Sequence, residues 1–303
     1  MGFDLIGDVF GYILWFFFLI FKNYGLAIIA FTVFVRIILY PTSIKQQKSM
    51  AANSRLAGKQ KEIQKKYEKD KTKMQEEMNK LYAKEGINPM GGCLTSIIPM
   101  ILLMGIYYSV MMPLTSTLHV NADHVTAGIA YMNNLPGIGT TFNGNYGQIT
   151  FMRIFPQISS CLQHSNIFNA TEINSMTQFS HGFNFFGLDM LQVTNEHGVS
   201  WLLIIPFLCF ATSFLSSLYM MRVQSNPMQN QQGCMKYMFL FFPLFSAYIA
   251  YSVPVAVGFY WIVSSVLMFF QSLLMQKFYS AALVTAKSEA ARVAFLEQEE
   301  AKL

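Results

Sequence analysis

Arg36 is a charge in a place where charge is expensive. It lies within Gly25–Thr42, a stretch whose other residues are apolar, aromatic or hydroxyl-bearing. An ionised side chain in hydrocarbon costs from about 2.5 kcal/mol on insertion scales to more than ~10 kcal/mol in simulations, so an intramembrane Arg is a candidate for function. A second reading stays open: with a rise of 1.5 Å per residue its Cα is about 9 Å from Thr42, near enough for the guanidinium to snorkel to a membrane surface. Thr32 and Ser43, four residues before and seven after Arg36, share one stripe of a helix with it, with Leu39 close by, while Phe31, Phe34 and Ile38 face away.

Polar side chains recur in later apolar stretches: Thr212, Ser213, Ser216 and Ser217 in one, and Tyr260, Trp261, Ser264, Ser265 and Gln271 in another. In such helices Ser and Thr commonly close-pack or bond their own backbone. Facing Arg36 together, they would instead line a hydrated cavity within the bilayer. Catalytic patterns are not found. No GxxxxGK[ST] phosphate loop, GxSxG elbow or HExxH pair occurs, and the apolar stretches hold no His, Asp or Glu to carry a proton. We expect no enzyme, no catalytic residue and no cofactor.

The elements that must position these residues are membrane helices. The chain has 303 residues, 53% hydrophobic and 12% charged, with mean hydropathy +0.35, whereas soluble domains carry about 25% charged residues. Its apolar residues gather into runs near the ~20 residues that cross a bilayer. We expect spans at 23–44, 92–112, 201–222, 237–253 and 255–277, the last two joined at Pro254 as a tight hairpin. Basic residues orient them. Twelve of the 21 Lys and Arg lie between Lys45 and Lys84, and Arg222, Lys236, Lys277, Lys287, Arg292 and Lys302 fall on the same side. Only Lys22 and Arg153 fall opposite. The positive-inside rule then makes 45–91, the 223–236 loop and the 278–303 tail cytoplasmic, and the 113–200 segment extracytoplasmic.

Residues 1–22 hold Val9–Phe21, a run rich in aromatics with no basic residue before it and no cleavage site after it. An interfacial helix on the outer face is expected, with an extra span as the alternative. Between Ile44 and Asn88 the sequence turns polar and helix-forming. Leu56, Ile63 and Tyr67, then Met74, Met78 and Leu81, fall at helical spacings around a turn at Lys69-Asp70-Lys71, which reads as a cytoplasmic helical hairpin. Its twelve basic against six acidic residues suit anionic lipid or ribosomal RNA, and a solvated hairpin without specific role is the alternative. The 113–200 segment reads as a large loop that could hold short helices. Its Asn169-Ala-Thr sequon reads as coincidental, and its five His show no metal spacing, so no metal is expected. Cys93, Cys161, Cys209 and Cys234 form no disulfide framework.

Several motifs resemble the YidC family of membrane protein insertases. Asn23-Tyr24-Gly25-Leu26, Val35-Arg36, Tyr40-Pro41 and Lys45-Gln46 are similar to its first core helix. Asn88-Pro89-Met90-Gly91-Gly92-Cys93 is similar to its NPxGGC entry to the second helix. Phe185-Phe186-Gly187-Leu188-Asp189-Met190 resembles its FxGLDL element, and Gly258, Tyr260, Trp261, Ser264 and Gln271 fit its fifth helix. Three features depart from the family pattern: Thr95, Pro99 and Ile101 after the GGC motif, the length of the outer segment, and a tail without a long basic extension.

The resemblance implies an all-α polytopic membrane protein, a five-transmembrane-helix insertase core with a cytoplasmic hairpin. It implies a hydrophilic groove, open to cytoplasm and lipid, that takes the polar part of a client while its apolar segment enters the bilayer, without nucleotide hydrolysis. Arg36 and Thr32 on the first helix, Ser217 on the third, and Tyr260 and Trp261 on the fifth would carry the family's groove positions; Ser213, Ser216 and Gln271 complete the expected groove. Implied partners are client membrane proteins and the lipid bilayer of a bacterial plasma membrane, with the ribosome, the signal recognition particle pathway and the Sec translocon as candidates. No span carries a GxxxG pair, so a monomer is expected. A secondary transporter or channel is the rival reading, weakened by the lone intramembrane charge and the lack of internal repeats; a passive scaffold for membrane complexes is a third.

Overall fold

The computed structural model describes residues 2–84, 91–135, 142, 146–197, 200–223, 233–280 and isolated positions between 283 and 300. Most of the 223–236 loop and the 278–303 tail lie outside the described residues. Helix α1 runs over Gly2–Phe21, and α2, Tyr24–Arg55, continues without a break past Pro41. The helix through the first expected span therefore enters the region expected as hairpin. The hairpin proper is α3, Ala57–Lys66, and α4, Lys71–Lys84, with the turn at Tyr67–Asp70. Then come α5, Gly91–Met111, a π-helical turn at Pro113–Thr117, and α6, α7 and α8 over Ala122–Asn133, Gly147–His164 and Ala170–Ser180. A short hairpin of β1, Asn184–Phe185, and β2, Leu188–Asp189, precedes α9, Ile204–Val223. Helices α10, Gly233–Ser252, and α11, Val255–Tyr279, end the described core. This is an all-α polytopic membrane protein.

Three helices are long and apolar enough to cross a membrane among the described residues: Tyr24–Ser49, Trp201–Tyr219 and Val255–Tyr279. Shorter apolar segments among the described residues include Ile101–Met111 in α5 and Phe241–Ser252 in α10.

The chain divides into two compact units. The first comprises Met1–Val35, Pro99–Ser213 and Pro243–Ser265, and the second Arg36–Ile98, Phe214–Phe242 and Val266–Leu303. Along the sequence, α2, α9 and α11 each begin with residues of the first unit and end with residues of the second, while α5 and α10 do the reverse. All of α1 and of 113–200 belongs to the first, and α3 and α4 to the second.

The first unit holds the main core, and much of it comes from the segment expected as a large loop that could hold short helices. In α7, Ile149, Phe151, Met152, Phe155, Ile158 and Leu162 are buried, and in α8 Ile173, Met176 and Phe179 repeat every third residue. These are the spacings that give a helix one apolar face. Burying each such side chain from water contributes roughly 1.5–3 kcal/mol, enough for the segment to fold into three helices. The caps are local. Asn121 caps α6, and Asn169 with Glu172 forms a reciprocal capping box on α8, so the sequon asparagine has a structural task.

Helix α1 packs on this core through Gly7, Gly11, Leu14 and Phe18, a face repeating every three to four residues, while Tyr12, Phe16 and Ile20 are exposed. The approach is close. The Ser109 hydroxyl donates to the Gly7 carbonyl at 2.9 Å, and a Cβ on Gly11 would overlap the Ser116 carbonyl. In the second unit the α3–α4 seam buries Leu56 and Met78, with Ile63, Tyr67, Met74 and Leu81 half-buried.

Candidate functional site

The residues expected to line one groove divide between the two units. Arg36, Ser216, Ser217 and Gln271 belong to the second; Thr32, Ser213, Tyr260 and Trp261 belong to the first.

In the second unit Arg36 is half-buried on α2, and its Nη1 donates to Gln271 Oε1 on α11 at 3.5 Å. That length is at the weak end for a hydrogen bond. On the other side of α2, Ile37 and Ile38 are 67% and 57% exposed, so the lipid-compatible face is apolar and the guanidinium turns away from it. The stripe continues. Ser43 bonds the Leu39 carbonyl of its own helix, and Gln47 Nε2, three turns beyond Arg36, donates to the Tyr279 carbonyl at 3.5 Å. Lys48 lies 5.8 Å from the Tyr279 ring centroid. Arg36 meets Gln271 and Gln47 meets Tyr279, so α2 and α11 run parallel along this stretch.

Helix α9 adds Ser216 and Ser217, both half-buried, and Tyr219, whose hydroxyl donates to Gln276 Oε1 at 2.9 Å. The Tyr219 ring packs on Phe269 at 5.1 Å. The Arg36 guanidinium, three glutamines, a phenol and two serines on three helices make a polar set within this unit, tied together by the Arg36–Gln271, Gln47–Tyr279 and Tyr219–Gln276 contacts. Its chemistry is recognition of polar or anionic groups.

The first unit uses its expected site residues differently. Thr32, 2% exposed, donates to the Ile28 carbonyl of its own helix at 2.6 Å. Ser213 Oγ lies 3.3 Å from Ser246 Oγ, whose proton also has the Pro243 carbonyl at 2.8 Å. Tyr260 packs within the main core, and Trp261 packs with Cys209 and Ala250. Beneath them the Cys209 thiol donates to the Gly258 carbonyl at 3.2 Å, and a Cβ on Gly258 would come within 2.7 Å of Ile205. The Cys209–Gly258 bond and the close approach of Gly258 to Ile205 set the spacing of α9 and α11 here.

Of the motif before α5, Asn88 and Pro89 lie outside the described residues, and Gly91, Gly92 and Cys93 form the first turn of α5. Sequence reasoning missed Gln47, Tyr219 and Gln276. Gln47 was findable, lying eleven residues from Arg36 and so close to its helical stripe. Tyr219 and Gln276 carry no such signal, because their significance lies in each other.

Residues 16–282 match the family model described as 60Kd inner membrane protein. The chain is similar to proteins named membrane protein insertase YidC. It is 43% identical to that of Chlorobaculum parvum over 86 residues, 28% of this chain and 15% of the relative. It is 47% identical to that of Helicobacter pylori over 88 residues, 29% and 15% of the two lengths. Identity to that of Caldanaerobacter subterraneus is 40% over 113 residues, 37% of this chain and 51% of the relative. The matched stretches thus span at most about half the length of these relatives.

Proposed function

Because the chain belongs to the family of 60Kd inner membrane proteins, we propose that it is a membrane protein insertase, moving transmembrane segments of client proteins into the lipid bilayer. The observation that carries this reading is Arg36: a half-buried intramembrane cation that faces Gln271, on a helix whose opposite side is apolar. A fixed charge among polar side chains lowers the cost of bringing a client's polar or acidic tail into the membrane while its apolar segment passes into lipid. The polar cluster works as a groove, open to the cytoplasm and to lipid, with the hairpin α3–α4 beside it on the cytoplasmic side. The positive-inside bias supports a cytoplasmic C-terminus and an extracytoplasmic 113–200 segment. The sequence carries no nucleotide-binding loop, which supports insertion without nucleotide hydrolysis. The partners in this reading are client membrane proteins and the bilayer, and on the cytoplasmic side the ribosome, the signal recognition particle pathway and the Sec translocon.

Reconstitution decides it. Purified protein in liposomes should insert a single-span client with a short acidic tail without added nucleotide. Solute flux across the same vesicles with no client insertion would instead establish a transporter or channel, and neither activity would leave a scaffold.

A further inference from the structure

The turn joining β1 to β2 holds a bulky aromatic residue in a backbone conformation that disfavours it. Phe186 has φ 51°, followed by Gly187 at φ 79°. Asn, Asp or Gly normally occupy the first such position of a two-residue hairpin, and a bulky residue there stores strain, which persists only where the surroundings fix it. They do. Asn184 Oδ1 accepts from the Gly187 amide at 2.9 Å, and Asn23 Nδ2 donates to the Asn184 carbonyl at 2.9 Å. Phe185 beneath the turn packs on Phe259 at 5.2 Å and against Gly25, where there is no room for a Cβ. Yet the strained side chain gains no burial, being 88% exposed. The turn is built to keep a phenyl ring outside the protein.

Its position says what meets it. Among the described residues, three helices long and apolar enough to cross a membrane begin at Tyr24, Trp201 and Val255, and the segment around the turn touches all three. The Tyr24 amide donates to the Gly182 carbonyl at 2.8 Å. The Val255 and Ala256 amides donate to the Gln192 and Met190 carbonyls at 2.8 and 2.9 Å. Gly187 lies against the Trp201 ring, which a Cβ on it would meet at 3.9 Å. The tip therefore stands beside the first residues of these three apolar helices, where a helix that spans a bilayer meets the headgroups, and no residue from Asn184 to Leu188 is charged. Beside it, Trp201, Ile204 and Phe207 are 56%, 47% and 65% exposed, one apolar face of α9 running on from the turn. Amphipathic and aromatic rings gather at this level in membrane proteins.

We propose that Phe186 is a bilayer anchor, its ring inserted among the glycerol and upper acyl groups of the leaflet on the side of residues 113–200, where with Trp201 it fixes the depth of the helix ends. The test compares the protein with its Phe186→Trp variant in phosphatidylcholine vesicles carrying bromine on shallow or on deep acyl carbons. The emission added by the new indole should be blue-shifted, and quenched more by shallow than by deep bromine. A water-like emission that no bromolipid quenches would overturn the proposal, as would a blue-shifted but unquenched emission, which would place the ring against a second copy. The unaltered protein gives an independent measure. Photoactivatable lipid with a shallow label should leave adducts on the peptide spanning 184–188, and absence of adducts there, with adducts on the exposed face of α9, would equally reject it.

Discussion

The Arg36 guanidinium lies 3.5 Å from the side-chain oxygen of Gln271, both residues half-buried. The contact is close enough to orient the charge and long enough to be given up to a better acceptor. A client carboxylate is such an acceptor, since charge-assisted hydrogen bonds are roughly twice as strong as neutral ones.

Arg36→Ala should therefore slow insertion of clients with acidic tails and spare those with neutral tails, while Arg36→Lys keeps much of the activity. Two unit charges 4 Å apart interact by about 4 kcal/mol at an effective dielectric of 20, against about 1 kcal/mol in water. Insertion of matched clients into vesicles, with variants present in equal amount, measures this. Equal rates for both client types with Arg36→Ala would reject the groove charge and leave Arg36 as a helix anchor.

Gly11→Ala should destabilise the packing of α1. Ala normally favours a helix over Gly by about 1 kcal/mol, but here its Cβ would overlap the Ser116 backbone carbonyl. Overpacking against backbone typically costs about 1–3 kcal/mol or more, so the steric effect decides the sign. A lower thermal midpoint and faster proteolysis at Lys22 are expected.

Acid should weaken the junction between α1 and the turn at Pro113–Thr117 through His119. Its ring stacks on Tyr12 with centroids 3.3 Å apart, and its Nε2 is buried without a hydrogen-bond partner among the described residues. Burial lowers its pKa below the ordinary 6.5, and Asp8 opposes that only in part. The unfolded chain therefore takes up the proton first, so this stability is complete above about pH 6.5 and is lost as the pH falls below it. Thermal unfolding at neutral and acid pH should show the loss, and His119→Asn, which tolerates the local φ of 53°, should reduce the pH dependence.

Arg153→Met should cost little. Arg153 bonds Glu196 at 2.9 Å and approaches Asp189 at 4.0 Å, but the side chains are 27%, 40% and 43% exposed. Pairs this open contribute up to about 1 kcal/mol. A small drop in thermal midpoint with unchanged client insertion is expected, and loss of insertion would reveal a role beyond stability.

Removing residues 53–84 should leave the first unit folded, because α3 and α4 bury Leu56 and Met78 within the second unit. Client capture should weaken. Normal insertion by an abundant deletion variant would make the hairpin a solvated appendage.

The sequence by itself determined the membrane class, the hairpin of α3 and α4 and the candidacy of Arg36, because each is written in local order: runs of apolar residues, helical spacing of Leu56, Ile63 and Tyr67 and again of Met74, Met78 and Leu81, and one charge where none is cheap. It also carried the family resemblance in short contiguous motifs. Tertiary structure decided the rest. It set the partners of two residues expected in the groove: Thr32, placed there by the family resemblance, bonds its own helix, and Ser213 lies against Ser246, a choice that hydroxyls make according to which acceptor is nearest. The 113–200 segment read as a large loop that could hold short helices, and the structure fixes three of them, because its Asn, Gly, Ser and Thr lie between the apolar residues that α7 and α8 turn to one side. Phe186 was legible only as a motif letter. Its strain and exposure exist because the neighbouring Asn184 closes the turn while Asn23 and Phe259, distant in sequence, hold it where it is, and a side chain's surroundings are set by packing between segments, which no local pattern encodes.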